Sequence, residues 1–322
     1  MSETDKTSSN PNVPSASVWA KLRAAVYKYD LLYEFSRSPS AIVASFLMLL
    51  FALAAAFPDL VAPYPVFDLA ALRLEDAFLP PAWLPEGDYR YPLGTDDQGR
   101  DMISAIIYGL RVSLFVGLGG VALAICIGVS VGLIAGYVGG ITDSILMRVA
   151  DIQLTFPAIL IAVMIDGVSR AAFGASAHEE IAAFVLIVAI GLSGWVQYAR
   201  AVRGATMVER RQDYVAAARL IGVRTGTILF SHIMPNVMTS VLVIGTIHLA
   251  IAVILEATLS FVGLGIPPTE PSLGTLIRIG NSYLLSGEWW IAIMPGAALL
   301  ILVLSINLLG DFLRDALNPR LK

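Results

Sequence analysis

Cysteine and histidine are scarce: the 322 residues include one cysteine and three histidines. One thiol, Cys126, cannot close an intrachain disulfide or complete a two-cysteine redox or zinc motif. It lies inside an apolar block and reads as a small packing residue. His178, His232 and His248 are dispersed, and His178-Glu-Glu180 lacks the second histidine of a zinc-protease helix, so no metal site is expected. No glycine is followed by lysine anywhere, which excludes a phosphate-binding P-loop. The Gly-x-Ser-x-Gly run from Gly128 to Gly132 lies inside an apolar block of membrane-spanning length, not at the strand-to-helix turn that makes a nucleophile elbow. No catalytic residue and no cofactor of the chain's own is therefore expected. Charge is scarce as well: 14% of residues are charged, against about 25% in an average soluble domain. The net charge of −4 argues against nucleic acid as a partner.

Apolar residues fill the space that charge vacates. They make up 57% of the chain, and the mean hydropathy is +0.75. They are concentrated in blocks near the length of about 20 residues that a bilayer crossing needs. Six blocks stand out: 41–57, 112–137, 145–165, 181–199, 237–264 and 291–310. The third is interrupted by Arg148, Asp151 and Pro157. Blocks this long, without alternation, are helices rather than barrel strands. The expected fold class is an all-α integral membrane protein of about six transmembrane helices. Its domain layout is a cytoplasmic tail and surface helix over 1–40, a membrane domain over 41–310, and a cytoplasmic tail over 311–322. The first 17 residues are rich in Ser, Thr, Asn and Pro and read as a disordered tail. Nothing before the first block has a signal peptide's layout. Residues 18–35 carry Trp19, Leu22, Val26, Tyr29 and Tyr33 at helical spacing, which fits a helix on the membrane surface or one packed on the protein. Lys and Arg set the orientation. With the N-terminus inside, they divide fifteen inside to six outside. That places both termini in the cytoplasm of a multi-pass inner-membrane protein in contact with lipid.

The segment 200–236 between the fourth and fifth blocks is too polar to insert and lacks linker composition. Asp213 is a plausible N-cap, Ala216, Ala217 and Ala218 are strong helix formers, and Gly222 suits the left-handed position that ends a helix. A second helical stretch over 227–234 is expected to stop at Pro235. Two short helices around a glycine turn make a cytoplasmic docking knob, with an ordinary amphipathic loop helix as the plainer alternative.

Residues Ala216-Ala-Ala218, Gly222 and His232-Ile-Met-Pro235 resemble the Glu-Ala-Ala loop of ABC importer permeases. Two alanines, the glycine and the proline match at full spacing. The family's Glu is Ala216 here, its Ile is His232, and its Leu before the proline is Met234. Further stretches resemble the DppC/OppC-like permeases of dipeptide and oligopeptide importers. They are Leu93-Gly-Thr-Asp96-Asp-Gln-Gly99-Arg-Asp101, Tyr108 to Leu114, Ala135 to Gly140, Met147 to Asp151, Leu255 to Phe261 with Pro267-Pro268, and Gly310 to Pro319. Leu273 replaces a common Trp. The likeness covers about residues 36–322. It implies the type I importer permease fold and a role in translocating di- or oligopeptides, or alternatively a metal chelate or other small solute. It implies a second permease as the other half of a heterodimer, two ATP-binding subunits that hold ATP and magnesium, and an extracytoplasmic solute-binding protein. It also makes the loop around Asp213, Tyr214 and Gly222 the coupling helix.

Within the membrane, Glu256 is costly unless it meets a partner, a cavity or water. It either lines the solute path or the permease interface, with Ser260, or is a buried acid bonded to backbone, Thr258 or Ser260. Asp166 could join that path or lie at the membrane surface. Trp289 and Trp290 fit an interfacial aromatic belt, and the glycines between 117 and 140 fit close helix packing. An ion-coupled carrier using Glu256, Asp166 or Asp151 would need paired broken helices, and a membrane enzyme would need a catalytic cluster. Neither pattern is evident.

Overall fold

The computed structural model describes residues 33–66, 72–270 and 272–317. Most of the segment read as tail and surface helix, and the last residues of the C-terminal tail, lie outside the described residues. Residues 33–37 are helical, and Phe35 sits edge-on to Phe312 with ring centroids 5.5 Å apart.

Ten helices organise the described residues, apart from that turn and two short 3₁₀ turns. They are α1 (Pro39–Ala56), α2 (Pro58–Val61), α3 (Met102–Val138), α4 (Gly140–Leu154), α5 (Ala158–Phe173), α6 (Ala175–Glu209), α7 (Asp213–Leu220), α8 (Thr225–Val262), α9 (Leu273–Tyr283) and α10 (Trp290–Leu317). Ser38 caps α1, its hydroxyl accepting from the Ala41 amide, with Pro39 in the first turn. Asp101 does the same for α3, accepting from Ser104. Extended pairing is limited to one bridge between Thr95 and Asp101 among the described residues.

Helices α1, α3, α6, α8 and α10 are each long and apolar enough to cross a membrane. The third apolar block differs from a straight span. It is α4 and α5 together, bent by 90° between Leu154 and Ala158. Pro157 has no amide hydrogen to continue the ladder, and its ring excludes the preceding turn, so the chain turns there. Outside the apolar blocks the helices continue well past the predicted ends. At 1.5 Å per residue, the 37 residues of α3 and the 35 of α6 span about 55 and 52 Å, against about 30 Å of hydrocarbon.

The two long helices form the axis of the fold. Gly128, Gly132 and Gly136 lie on one stripe of α3. A Cβ at each would fall 2.5, 2.6 and 2.7 Å from the carbonyl oxygens of Trp195, Ala199 and Arg203 on α6. Both series step by four residues, one helical turn, so backbone rides on backbone for three turns. Helix α8 completes this body. Ile228, Ile233, Val237 and Val241 pack with Val129, Leu133, Tyr198 and Val202. A π-helical turn over Ile228–Ile233 accounts for the five-residue first step in that buried series.

Candidate functional site

The segment between α6 and α8 projects from the end of the long helices opposite Asp101. Residues 200–209 belong to α6, so the polar loop proper is shorter than the sequence suggests. Helix α7 has two unlike faces. Val215 is fully buried and Ala218 is 5% exposed, and both are packed into the core formed by α3, α6 and α8. Ala216 and Ala217 face outward. At the end of the helix, Leu220 is 88% and Ile221 80% exposed. Two large apolar side chains this exposed on a knob anchored from beneath form a surface fit for contact with another protein.

Local chemistry shapes the knob. Gln212, rather than Asp213, is the N-cap residue, and it makes no side-chain capping bond. Asp213 is the first helical residue, where a carboxylate still complements the helix dipole. Gly222 has φ +81°, the left-handed conformation that ends α7 at little cost only for glycine. The Gly222 amide donates to Arg219, and that of Val223 to Ala218. Tyr214 donates to the Glu209 carboxylate and accepts from the Asn236 amide at 3.1 Å. Burial, followed by the Glu209 hydrogen bond, raises the Tyr214 phenol above its ordinary range. The Arg219 guanidinium stacks over Tyr137 at the end of α3, 5.0 Å from the ring centroid.

Pro235 does not stop the second helix. In the π-turn the Met234 amide reaches back five residues to Leu229, and Pro235 sits in the first turn of the α-helical part of α8. There its missing amide hydrogen costs little. His232 contacts the Thr227 carbonyl at 3.3 Å through Nδ1.

Glu256 lies near the C-terminal end of α8, level with the start of the apolar run of α3, and is 0% exposed. The Ser113 hydroxyl donates to Oε2 at 2.7 Å, and the Ser260 hydroxyl to Oε1 at 2.7 Å. Ser113 in turn accepts from the Leu273 amide at 3.3 Å, so the carboxylate joins α3, α8 and the start of α9. Thr258 turns away and bonds the Ile254 carbonyl. Asp166 is on a different element and belongs to another group. Its carboxylate pairs with Arg170 at 2.8 Å and with His178 Nε2 at 3.0 Å, and His178 Nδ1 meets Ser169 at 3.1 Å. Asp166 and His178 are buried, tying α5 to α6 beside their connecting turn.

The structure thus brings Asp213, Tyr214, the three alanines, Gly222 and the region of Pro235 into one knob, and Glu256 into one cluster with Ser260. It does not join Asp166 to either. Sequence reasoning missed Ser113, which is 143 positions from Glu256, and His178, which it took as isolated. It also missed the pair of Tyr198 and His248, whose hydroxyl and Nδ1 are 3.0 Å apart in the core. No spacing signal marks the first or the third. His178 stands on the far side of the Gly174 turn from Asp166, and a helical hairpin at that glycine was the one available hint. Among the described residues no group of His, Cys, Asp and Glu could hold a metal ion.

The comparisons agree with this architecture. Residues 128–322 match the family model described as binding-protein-dependent transport system inner membrane component. The chain is 36% identical over 289 residues to a di/tripeptide transport system permease protein of Pseudomonas aeruginosa, covering 90% of this chain and 91% of that one. It is 34% identical over 311 residues to an oligopeptide transport system permease protein of Bacillus subtilis, covering 97% and 95%. Among solved structures, the inward-facing MetNI methionine ABC transporter superposes with a TM-score of 0.53 at 22% identity. That match covers 67% of this chain and 97% of that one, and it is a likeness of fold.

Proposed function

Because this chain belongs to the family of binding-protein-dependent transport inner membrane components, the membrane-spanning, non-catalytic permease subunits of ABC importers, we propose that its solutes are peptides and that α7 is the element through which ATP hydrolysis drives it. The peptide reading rests on relatives named for di/tripeptides and oligopeptides over nine-tenths of the chain. A second, distinct permease completes the pore. Two ATPase subunits, which hold ATP and magnesium, dock on the cytoplasmic side, one of them at α7, and an extracytoplasmic binding protein delivers the peptide at the Asp101 end. Both termini are cytoplasmic, as the Lys and Arg distribution favours.

One observation carries the coupling: α7 is anchored and exposed at once. Val215 and Ala218 are buried against α3, α6 and α8, while Leu220 and Ile221 stand in solvent. A displacement imposed on the exposed face therefore moves the core to which the buried face is packed. Closure of the ATPase pair shifts α7, and the spans rock between inward- and outward-facing states. Ala216, in the position of the family's Glu, leaves one polar contact unmade, and apolar contact through Leu220 and Ile221 takes its place. Glu256, steadied by Ser260 on its own helix, fastens α8 to α3 through Ser113 beside the solute path, and Asp166 fastens the outer end of α5.

The experiment is ATP-dependent uptake from a defined mixture of peptides, in cells with and without this chain, with its partner subunits present. Loss of peptide uptake on deletion is the expected result, and unchanged uptake refutes the peptide assignment. In the same assay Gly222→Trp should leave an assembled complex that hydrolyses ATP without transport. No neighbour lies within 4 Å of a Cβ at Gly222, so the change strikes the docking surface and the left-handed turn rather than the core. Wild-type transport by an assembled Gly222→Trp complex refutes the coupling role.

A further inference from the structure

A groove of about 1000 Å³ lies between α1 and α3 towards the Asp101 end of the bundle. Its lining changes character with depth. Asp59, Tyr108, Arg111 and Glu270 line its mouth, and Met48, Ala52, Phe115 and Leu118 line the part nearer the bundle centre. From Arg111 to Leu118 the wall follows α3 for about 10 Å, most of one leaflet of an approximately 30 Å hydrocarbon layer. Arg111 is the last charge before the apolar run that begins at Val112, the level at which a long basic side chain meets lipid headgroups.

The charges at the mouth are unevenly satisfied. Asp59 accepts from the Tyr108 hydroxyl at 2.6 Å. Arg111 and Glu270 have opposite signs and line the same groove, yet neither side chain has an ion-pair or hydrogen-bond partner among the described residues. Below them Phe115 and Leu118 are each about half exposed.

We propose that this groove binds one glycerophospholipid with a zwitterionic phosphoethanolamine head. Its phosphate lies on Arg111, its ammonium on Glu270, and one acyl chain runs down the wall of Phe115, Leu118, Met48 and Ala52. Opposite charges on one groove complement the two ends of that head. An anionic head without an amine would leave Glu270 facing negative charge. A short peptide is also a zwitterion, but the deeper wall offers its backbone amides no partners, which is costly away from water. An acyl chain needs none.

The test uses the complete importer in lipid nanodiscs doped with a photoreactive-acyl phosphatidylethanolamine or, at the same mole fraction, phosphatidylglycerol, with the crosslinked segments mapped by mass spectrometry. Phosphatidylethanolamine should label α1 and α3 around Ala52 and Phe115. Arg111→Ala should reduce that labelling about tenfold, the scale of one lost charge-assisted hydrogen bond, and phosphatidylglycerol should label wild type at the reduced level. Ala52→Trp, which fills the groove and leaves the mouth intact, should suppress labelling by both lipids. Assembly of each variant is checked by its ATPase activity and elution. Three results overturn the proposal: equal labelling by both lipids that Arg111→Ala leaves unchanged, which marks bulk lipid; protection by excess di- and tripeptides, which assigns the groove to solute; or no labelling of these segments, which means another chain covers them.

Discussion

Helix α6 is held in two different ways on two of its sides. Against α3 it makes a backbone contact over three turns, with Gly128, Gly132 and Gly136 beneath Trp195, Ala199 and Arg203. Against the arm formed by α4 and α5 it relies on side chains. Arg203 pairs with Asp143, Arg200 with Asp151 at 2.6 Å, the Trp195 indole donates to Gln153, and Asp166 pairs with His178. A small apolar cluster around Ala150 and Ala199 is the main packing beneath the α4 pairs. Much of the arm's surface is open, with Leu160, Met164 and Val168 more than half exposed. Backbone contact through glycine has one geometry and tolerates little sliding. Salt bridges between long side chains can break and re-form. The body of α3, α6 and α8 is therefore suited to move as a unit, and the arm to change its hold on it.

The contrast can be broken most severely at Gly132. Gly132→Leu puts a side chain into the Ala199 carbonyl and the Val202 Cβ. An overpacking cost of about 3 kcal/mol or more should abolish the folded permease, seen as loss of the monodisperse complex in detergent. A stable Gly132→Leu protein would mean that the two helices can separate freely. Glu256→Ala comes next. It strands the buried hydroxyls of Ser113 and Ser260, at about 1–3 kcal/mol. It should lower the melting temperature, and Glu256→Gln, which keeps an acceptor, should recover much of the loss. If Glu256→Gln instead retains stability but abolishes uptake, the carboxylate acts in transport itself.

On the arm, effects should shrink. Arg203→Ala removes a pair whose arginine is one-third exposed, worth about 1 kcal/mol or less. Melting should hardly change while the ATPase-to-transport ratio does. A melting shift as large as that of Glu256→Ala would erase the distinction between body and arm. The smallest effect is expected at Gly167 in α5, where a Cβ would meet nothing within 4 Å. Gly167→Ala should stabilise by about 0.5–1 kcal/mol through helix propensity. A destabilised protein would show that the partner permease presses on this face.

The spans were legible because desolvation of about 20 residues leaves an unambiguous apolar run. Their true ends were not, since a helix that has left the bilayer is free to become polar. Arg200 and Arg203 look like loop residues and are helical, while α3 starts ten residues before its apolar run. Arg148, Asp151 and Pro157 did flag the third block as irregular, but the 90° bend at the proline depends on tertiary packing. The knob was readable from Ala216 to Gly222, because helix propensity and a left-handed glycine are local properties. Its anchoring by Val215 and Ala218 was not, because two apolar residues in an eight-residue helix do not reveal what they touch. The cost of burying Glu256 was evident from its setting, and one of its hydroxyl partners, Ser260, was four positions away. Another, Ser113, becomes its neighbour only when α3 and α8 pack.

The π-turn in α8 gives chain length an unusual meaning. The buried series Ile228, Ile233, Val237 and Val241 steps by five once and then by four, so one residue more than a straight helix requires is stored in that turn. Deleting a residue there would do more than shorten the chain. At 3.6 residues per turn it would rotate everything before it by about 100° about the helix axis, swinging Leu220 and Ile221 away from their bearing relative to Glu256. In this segment an insertion or deletion acts as a change of angle, and the orientation of the knob is encoded by a count of residues.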